Sequence, residues 1–243
     1  MENKLKKNIK IQTSMCDNLS RLSIPNLFTV FMDLACEHAP MLDLGADKLA
    51  KKGLFWVAAK TKVKIHRLPK MLTEVKAETW PEAPGKIRTN RYYSLSDVDG
   101  ILAEGKTEWA IINLEVGCPV KLSEVYPENI EHLEETVCDT PFARVNDDFT
   151  ECEVIGRYKV CSNDIDIGQH MNNVAYIRAL FSMFSCKELE KMKITYIDIS
   201  FRLQCYEGDT LTICKRNAEN ATEFGFINKD GKTAATVRIE SNS

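Results

Sequence analysis

The sequence has no apolar run long enough to cross a membrane. The longest runs, such as Trp56–Ala59 and Trp109–Ile112, fall far short of the roughly 20 residues that a membrane helix needs. The basic, polar N-terminus, MENKLKKNIKIQTSM, lacks the apolar centre of a secretory signal. These absences predict a soluble, cytoplasmic protein with no stable membrane insertion.

Glycine, proline and net charge are also low. With 11 glycines and 8 prolines in 243 residues, the chain is neither collagen-like nor rich in linkers. A net charge of −3 gives no basic footprint of the kind that nucleic-acid binding needs. The chain is instead typical of a globular protein, because 44% of its residues are hydrophobic and 28% are charged, enough to bury a substantial core.

Metal-ligand patterns are missing as well. Nine cysteines are present, but no two of them form a Cys-x-x-Cys pair, so neither a zinc ribbon nor a redox motif is indicated. We expect most of these thiols to be reduced, partly buried, small hydrophobic side chains. No metal or other cofactor is expected.

The first half of the chain is predicted to contain a strand, a long helix, a short helix and four further strands, in that order. A strand over 10–20 precedes a helix over Asn26–Ala39, which carries an apolar stripe at helical spacing. Ser23 is a candidate N-cap for this helix, and Pro40 is expected to end it. A short helix and four strands follow, predicted at Ala46–Lys52, Phe55–Arg67, Glu74–Trp80, Arg88–Ser96 and Leu102–Asn113.

The second half repeats this order. The predicted elements are a strand at Arg157–Val160, a helix at Asn173–Leu189 and strands at Lys193–Arg202, Thr210–Asn217, Thr222–Asn228 and Thr233–Ile239. A repeat of one long helix and one antiparallel sheet is the simplest interpretation. We therefore expect an α+β chain of two domains, residues 1–128 and 151–243, joined by an acidic linker over 129–150.

The densest polar cluster, Asn163–Asn173, lies just before the second long helix. Asp166 and His170 are four residues apart and can face one cleft from a loop that enters a helix. A carboxylate that orients an imidazole is the pairing that acid–base catalysis needs, and backbone N–H groups at the helix start could bind an oxyanion. An Asn/Asp-rich turn with a helix N-cap explains the same composition equally well.

The run Asp164–Ile177, DIDIGQHMNNVAYI, resembles the signature D-x-D-x-N-x-H-x-N-N-x-x-Y of the acyl-acyl-carrier-protein thioesterases of plants and bacteria. Outlying similarities extend over nearly the whole chain. Ala77–Pro81 and Trp109–Glu115 resemble the first domain of that family, and Ile199–Asp209 resembles the late catalytic strand of the second. The resemblance implies two tandem hotdog domains, each a long helix wrapped by an antiparallel β-sheet, with the first domain lining an acyl pocket.

The same resemblance implies an activity in fatty acid biosynthesis. It implies that the protein hydrolyses a fatty acyl-phosphopantetheine thioester on acyl carrier protein, which releases the free fatty acid and terminates chain elongation. Asp166 and His170 match the aspartate and histidine of the family. The residues implied to bind substrate are Gly168, Asn172, Asn173 and Trp56.

Two positions depart from the family pattern. Gly168 stands where the family usually has asparagine, and the loss of one oxyanion donor typically costs about 3–4 kcal/mol in the transition state. Gln204 stands where many members have a glutamate thought to activate water, beside Cys205, which matches a cysteine once proposed as the nucleophile. The expected catalytic residues are Asp166, His170, Gln204 and Cys205. Because glutamine cannot act as a general base, two routes of thioester hydrolysis stay open.

In the first route, Cys205 attacks the thioester after His170 takes its proton. In the second, Gln204 orients a water molecule while His170 acts as the base. We favour the second route, because neighbouring side chains on a strand point to opposite faces. If Gln204 faces the site, Cys205 should face away.

A basic strand face is the candidate docking surface. Its members are Lys60, Lys62, Lys64 and Arg67. Simple solvation of these side chains is the structural explanation of the pattern. The functional explanation is that they dock acyl carrier protein, which is strongly acidic. Two rival functions stay open, namely hydrolysis of acyl-coenzyme A and non-catalytic acyl binding. Acyl chain length and oligomeric state, with a homodimer as one option, are open too.

Overall fold

The computed structural model of the chain describes residues 3–242. They form two compact units that meet in sequence at Thr140 and Pro141, within the stretch 129–150 that was expected to be a linker. Each unit contains five antiparallel strands and one main helix, which confirms the α+β arrangement. No helix in the described residues is both long and apolar enough to span a membrane.

The strands of the first unit are β1 (Leu5–Lys10), β2 (Leu54–Ile65), β3 (Glu74–Pro81), β4 (Thr89–Asp97) and β5 (Gly100–Asn113). Their order in the sheet is β1-β3-β4-β5-β2, and every neighbouring pair is antiparallel. The strands β2 to β5 lie within a few residues of their predicted positions. The predicted strand at 10–20 is wrong, because Asp17 Oδ1 accepts hydrogen bonds from the N–H groups of Leu19 and Arg21 and closes a turn there.

The main helix of the first unit, α1 (Ile24–Met41), begins at Ser23, whose hydroxyl accepts a hydrogen bond from the Asn26 N–H. It runs one residue past Pro40, where a proline in the last turn removes only one helical hydrogen bond. Its apolar face packs on the sheet, with Phe31 stacked on Tyr93 at 4.9 Å. A short helix, α2 (Ala46–Ala50), follows it.

The strands of the second unit are β6 (Glu153–Lys159), β7 (Ile194–Phe201), β8 (Thr210–Ala218), β9 (Ala221–Ile227) and β10 (Thr233–Ser241). They form the order β7-β10-β9-β8-β6, again with antiparallel neighbours. All five lie near their predicted positions. Phe149, within the expected linker, is only 4% exposed and packs against this unit, because Gly225 leaves room for its ring at a position where a Cβ would approach to 2.5 Å.

The predicted helix Asn173–Leu189 is in fact two helices, α3 (Asn173–Phe181) and α4 (Cys186–Lys191). The break arises because Ser185 caps a new helix, with its hydroxyl and the Glu188 carboxylate forming a reciprocal capping box. The helix α3 packs on the sheet through Tyr176, whose ring contacts Phe226 edge-on at 5.4 Å. The N-terminal end of this helix positions the candidate site.

Candidate active site

The loop between β6 and α3 is anchored by Asp164, which is only 3% exposed. On one side, Tyr158 of β6 donates its hydroxyl proton to this carboxylate at 2.9 Å, and the Cys161 N–H donates at 2.9 Å. On the other side, Arg178 of α3 lies 3.4 Å away. A single buried carboxylate therefore joins the strand, the loop and the helix.

Residues 166–170 form a tight turn. The N–H of Asp166 donates to the His170 carbonyl at 3.1 Å, and the Gln169 N–H donates to the Asp166 carbonyl at 3.0 Å. Gln169 adopts a φ of +63° to close the turn. The Gly168 N–H donates to Asp166 Oδ1 at 2.7 Å, so the carboxylate of Asp166 is held by the backbone of its own turn.

This turn places the two predicted acid–base side chains side by side. His170 Nδ1 lies 3.9 Å from Asp166 Oδ1, and the side chains are 18% and 34% exposed. That distance is longer than a hydrogen bond but within reach of ion pairing. Catalytic hydrogen bonds are often long without substrate and shorten when it binds. The geometry therefore allows Asp166 to orient the imidazole through Nδ1.

The two asparagines after the turn have different positions. Asn172 is the N-cap of α3, and its Oδ1 accepts a hydrogen bond from the Ala175 N–H at 2.8 Å. The structural explanation of the Asn-rich run is thus correct at this residue, where the cap stabilises the helix by about 1 kcal/mol. Asn173 is the first residue of α3 and is half-buried. Substrate binding by either residue stays a prediction.

Gln204 and Cys205 follow β7 in a loop, so the strand expected at these positions is wrong. The chain leaves the sheet because Asp209 Oδ2 accepts the Tyr206 N–H at 2.8 Å and Gly208 turns with a φ of +87°. The loop still directs Gln204 outward and buries Cys205, which is 1% exposed. The Cys205 carbonyl accepts the Met171 N–H at 2.7 Å, which fixes this loop beside the His170 turn.

The Cys205 thiol is poorly suited to be a nucleophile. Its burial raises the pKa of the thiol, and the nearby Asp209 carboxylate raises it further, while a hydrogen bond with Tyr176 lowers it. Because the thiolate is the attacking form, a raised pKa disfavours attack. All nine cysteines lie within residues 3–242, where each is a free thiol.

A Cys205→Ala variant should therefore keep its hydrolytic activity, with a stability loss of about 1 kcal/mol. The measurement is the steady-state rate, combined with mass spectrometry of protein quenched during turnover. Cys214→Ala is the matched control, because Cys214 is also buried and burial raises its thiol pKa too. An acyl adduct on Cys205 together with an inactive Cys205→Ala protein would establish the thiolate route instead.

Trp56, expected to bind substrate, packs within the first unit. Its Nε1 donates to the Leu44 carbonyl at 2.9 Å, and its ring meets those of Trp109 and Tyr126 edge-on, each at 6.1 Å. It also joins two hydrophobic clusters around Leu44 and Leu54. These contacts describe a partly buried side chain that packs against the core, and a role in substrate binding stays a prediction.

In the structure, Lys62 is not part of a solvent-exposed basic face. This residue lies opposite Lys106 on β5 and is 6% exposed, so its inclusion in a solvent-facing docking surface is wrong. The alternation of side chains along a strand shows which residues share a face but not whether that face is covered. A bulge between Ala58 and Lys60 also shifts the register of β2.

The other basic residues of that face remain partly exposed and lie near carboxylates. Lys60 Nζ is 3.9 Å from Glu108, and Lys64 Nζ is 3.8 Å from Glu104. Arg67 forms an ion pair with Asp97. These carboxylates reduce the positive charge of the face. Docking of a carrier protein there stays a prediction for Lys60, Lys64 and Arg67.

Sequence reasoning missed two features of the site. The first is the role of Asp164, which stands in the signature run but whose partners Tyr158 and Arg178 come together only in the fold. The second is Tyr206, whose hydroxyl donates to Gln204 Oε1 at 2.8 Å. It stands in the run Ile199–Asp209 that resembles the family, but nothing in that run assigns it a role. Within the described residues, no group of three or more His, Cys, Asp or Glu side chains could hold a metal ion.

Two helix-and-sheet units, with a carboxylate–histidine turn at the start of the second main helix, define a tandem hotdog protein. The profile of the acyl-ACP thioesterase N-terminal domain matches residues 2–132, and that of the C-terminal domain matches residues 149–242. The chain belongs to the acyl-ACP thioesterase family.

Individual relatives are distant in sequence. Oleoyl-acyl carrier protein thioesterase 2, chloroplastic, of Arabidopsis thaliana is 21% identical over 91% of this chain and 65% of its own length. A chloroplastic palmitoyl-acyl carrier protein thioesterase of Gossypium hirsutum is 26% identical over 79% of this chain and 50% of its own length. The chain thus spans about half to two thirds of these curated relatives.

Solved structures support the fold. An acyl-ACP thioesterase from Bacteroides thetaiotaomicron has a TM-score of 0.86 at 18% identity, with 99% of this chain and 98% of that chain covered. The 12:0-ACP thioesterase from Umbellularia californica has a TM-score of 0.82 at 18% identity, with 100% and 98% covered. Both similarities cover the two units together and confirm the predicted tandem hotdog class.

Proposed function

We propose that this protein is a thiolester hydrolase that cleaves fatty acyl thioesters on acyl carrier protein and releases the free fatty acid. The observation that carries the proposal is the Asp166–His170 pair, with its side chains 3.9 Å apart at the start of α3. Membership of the acyl-ACP thioesterase family supports the choice of substrate. The cytoplasmic location, the homodimer and the lining of an acyl pocket by the first unit stay predictions.

The proposed reaction uses His170 as a general base and then as a general acid. Its Nε2 takes a proton from a water molecule as the water oxygen attacks the thioester carbonyl carbon. Asp166 holds the imidazole through Nδ1 and stabilises the positive charge that forms on it. When the tetrahedral intermediate collapses, the carbon–sulfur bond breaks and the imidazolium returns the proton to the phosphopantetheine thiolate. The products are one fatty acid and one free thiol.

Thiol release from purified protein tests this function. Acyl groups of one length are presented on acyl carrier protein and on coenzyme A, and the series is repeated over several lengths. We expect catalytic release with a higher kcat/KM for the carrier-protein thioester. A higher kcat/KM for coenzyme A thioesters would identify an acyl-coenzyme A thioesterase. Binding without release of thiol would identify a non-catalytic acyl-binding protein.

Charge reversal tests docking of the acidic carrier protein on the exposed part of the basic face. Lys60→Glu with Lys64→Glu should raise KM for acyl carrier protein by about threefold to tenfold and leave KM for acyl-coenzyme A nearly unchanged. It should also weaken the dependence of kcat/KM on salt, because salt screens exposed charges. The control is Lys229→Glu with Lys232→Glu, an equal charge change at two exposed lysines. Equal effects of the two double variants would show that the face is merely solvated.

A further inference from the structure

The orientation of the Gln204 side chain determines what it offers to a substrate. Tyr206 donates its hydroxyl proton to Gln204 Oε1 at 2.8 Å, so the amide oxygen is engaged. The Nε2 group carries two N–H donors and no acceptor. In this arrangement Gln204 presents hydrogen-bond donors, which is the opposite of what a general base supplies.

Tyr206 is itself held in place by the loop. Its backbone N–H donates to Asp209 Oδ2 at 2.8 Å, and the Gly208 N–H donates to the Val160 carbonyl at 2.9 Å. Val160 directly follows β6, at the start of the loop that leads to the acid–base turn. The tyrosine and the acid–base turn are therefore fixed to the same part of the sheet.

Gln204 also lies next to the backbone that carries His170. The residue after His170 donates its N–H to the Cys205 carbonyl at 2.7 Å, and Cys205 points inward against Tyr176. Gln204, its neighbour, points outward. The loop that carries Gln204 is thus tied to the residue that follows His170.

Gly168 offers no donor to a substrate. Gly168 has no side chain, and its backbone N–H is engaged by Asp166 Oδ1 at 2.7 Å. A thioester carbonyl needs a donor as negative charge develops on its oxygen during attack. The Gln204 amide, in the loop that is tied to this turn, supplies a donor of the required type.

We propose that the Gln204 Nε2 group donates a hydrogen bond to the thioester carbonyl oxygen and to the oxyanion formed from it, and that Tyr206 is the positioning residue for that amide. This inference rests on the proposed function. It makes Gln204 a catalytic donor and leaves water activation to His170. The Gln204 amide then replaces the hydrogen-bond donor that is missing at Gly168.

The first test is a pair of substitutions at positions 168 and 204. Gln204→Glu should lower kcat about 10²–10³-fold above pH 6, because it replaces the donor with an anion that repels the developing charge. Adding Gly168→Asn should recover part of the lost rate by supplying an amide from the turn. A rise in kcat for Gln204→Glu alone would overturn the inference, since the limiting group would then be a base.

The second test isolates the positioning role of Tyr206. Tyr206→Phe should lower kcat about tenfold with little change in KM, because the amide keeps its place but loses its fixed orientation. In a Gln204→Leu background the same substitution should have no further effect on kcat. An equal loss in both backgrounds would show that Tyr206 merely supports the loop and would overturn its assignment.

The third test does not need turnover. A ketone analogue of the acyl-phosphopantetheine, in which a methylene replaces the sulfur, retains the carbonyl acceptor, and a thioether analogue lacks it. By calorimetry, Gln204→Leu should weaken binding of the ketone about fivefold to tenfold and leave binding of the thioether unchanged. Equal losses for both ligands would overturn the inference. A selective loss for the ketone in a protein without hydrolytic activity would support the donor and reject the proposed hydrolysis.

Discussion

Replacing His170 with alanine is expected to lower kcat for the acyl-carrier-protein thioester by about 10²–10⁴-fold. In the proposed reaction the imidazole accepts the proton of the attacking water through Nε2, and Asp166 is not placed to take over this role. Its carboxylate lies 3.9 Å from the other ring nitrogen, Nδ1. The side chain of His170 is partly exposed, so its removal should leave the folded structure intact.

The matched control is Ser162→Ala, in the same loop but outside the acid–base turn. Ser162 is exposed, and its substitution should keep wild-type kcat. Both variants should show wild-type circular dichroism and thermal unfolding. A well-folded His170→Ala protein with near-wild-type turnover would remove His170 from the mechanism.

The largest expected effect on stability comes from Asp164→Ala, which should lower the free energy of unfolding by about 3–5 kcal/mol. The substitution leaves the Tyr158 hydroxyl and the Cys161 N–H without their acceptor and removes the carboxylate beside Arg178. Unpaired buried donors cost more than the hydrogen bonds themselves contribute. Because these groups join the strand, loop and helix, kcat should fall as well.

Denaturant unfolding of the Asp164→Ala protein measures this effect. Asp230→Ala, in the exposed turn between β9 and β10, is the control and should change the free energy of unfolding by less than about 0.5 kcal/mol. If Asp164→Ala were equally mild, the buried carboxylate would not be the anchor of the loop.

The regular parts of the fold could be predicted because local sequence determines them. The apolar stripe and the Ser23 cap were enough to predict α1, and alternation predicted most strands of both sheets. The break between α3 and α4 was missed because Phe184 continues the apolar pattern. Although it lies outside both helices, its ring still contacts Phe224 edge-on at 5.9 Å. Burial of an aromatic side chain does not require helical backbone.

The candidate site was only partly predictable. The spacing of Asp166 and His170 predicted that their side chains could face one cleft, because a four-residue separation in a loop that enters a helix allows a turn. The contact of Asp164 with Arg178 depends on how the loop packs against α3, and the position of Gln204 depends on the Met171–Cys205 hydrogen bond between two loops. The burial of Lys62 depends on what covers its strand. Local sequence patterns carry no information on these tertiary contacts.

The most direct test of the central claim is the fate of the acyl group when wild-type and His170→Ala proteins act on acyl carrier protein in ¹⁸O-labelled water. We predict that the wild type releases fatty acid and free carrier thiol in equal amounts. Each fatty acid should carry one ¹⁸O atom, and His170→Ala should release almost none. Tight binding of the acyl carrier protein by the wild type, with no fatty acid formed above the rate without enzyme, would contradict the account.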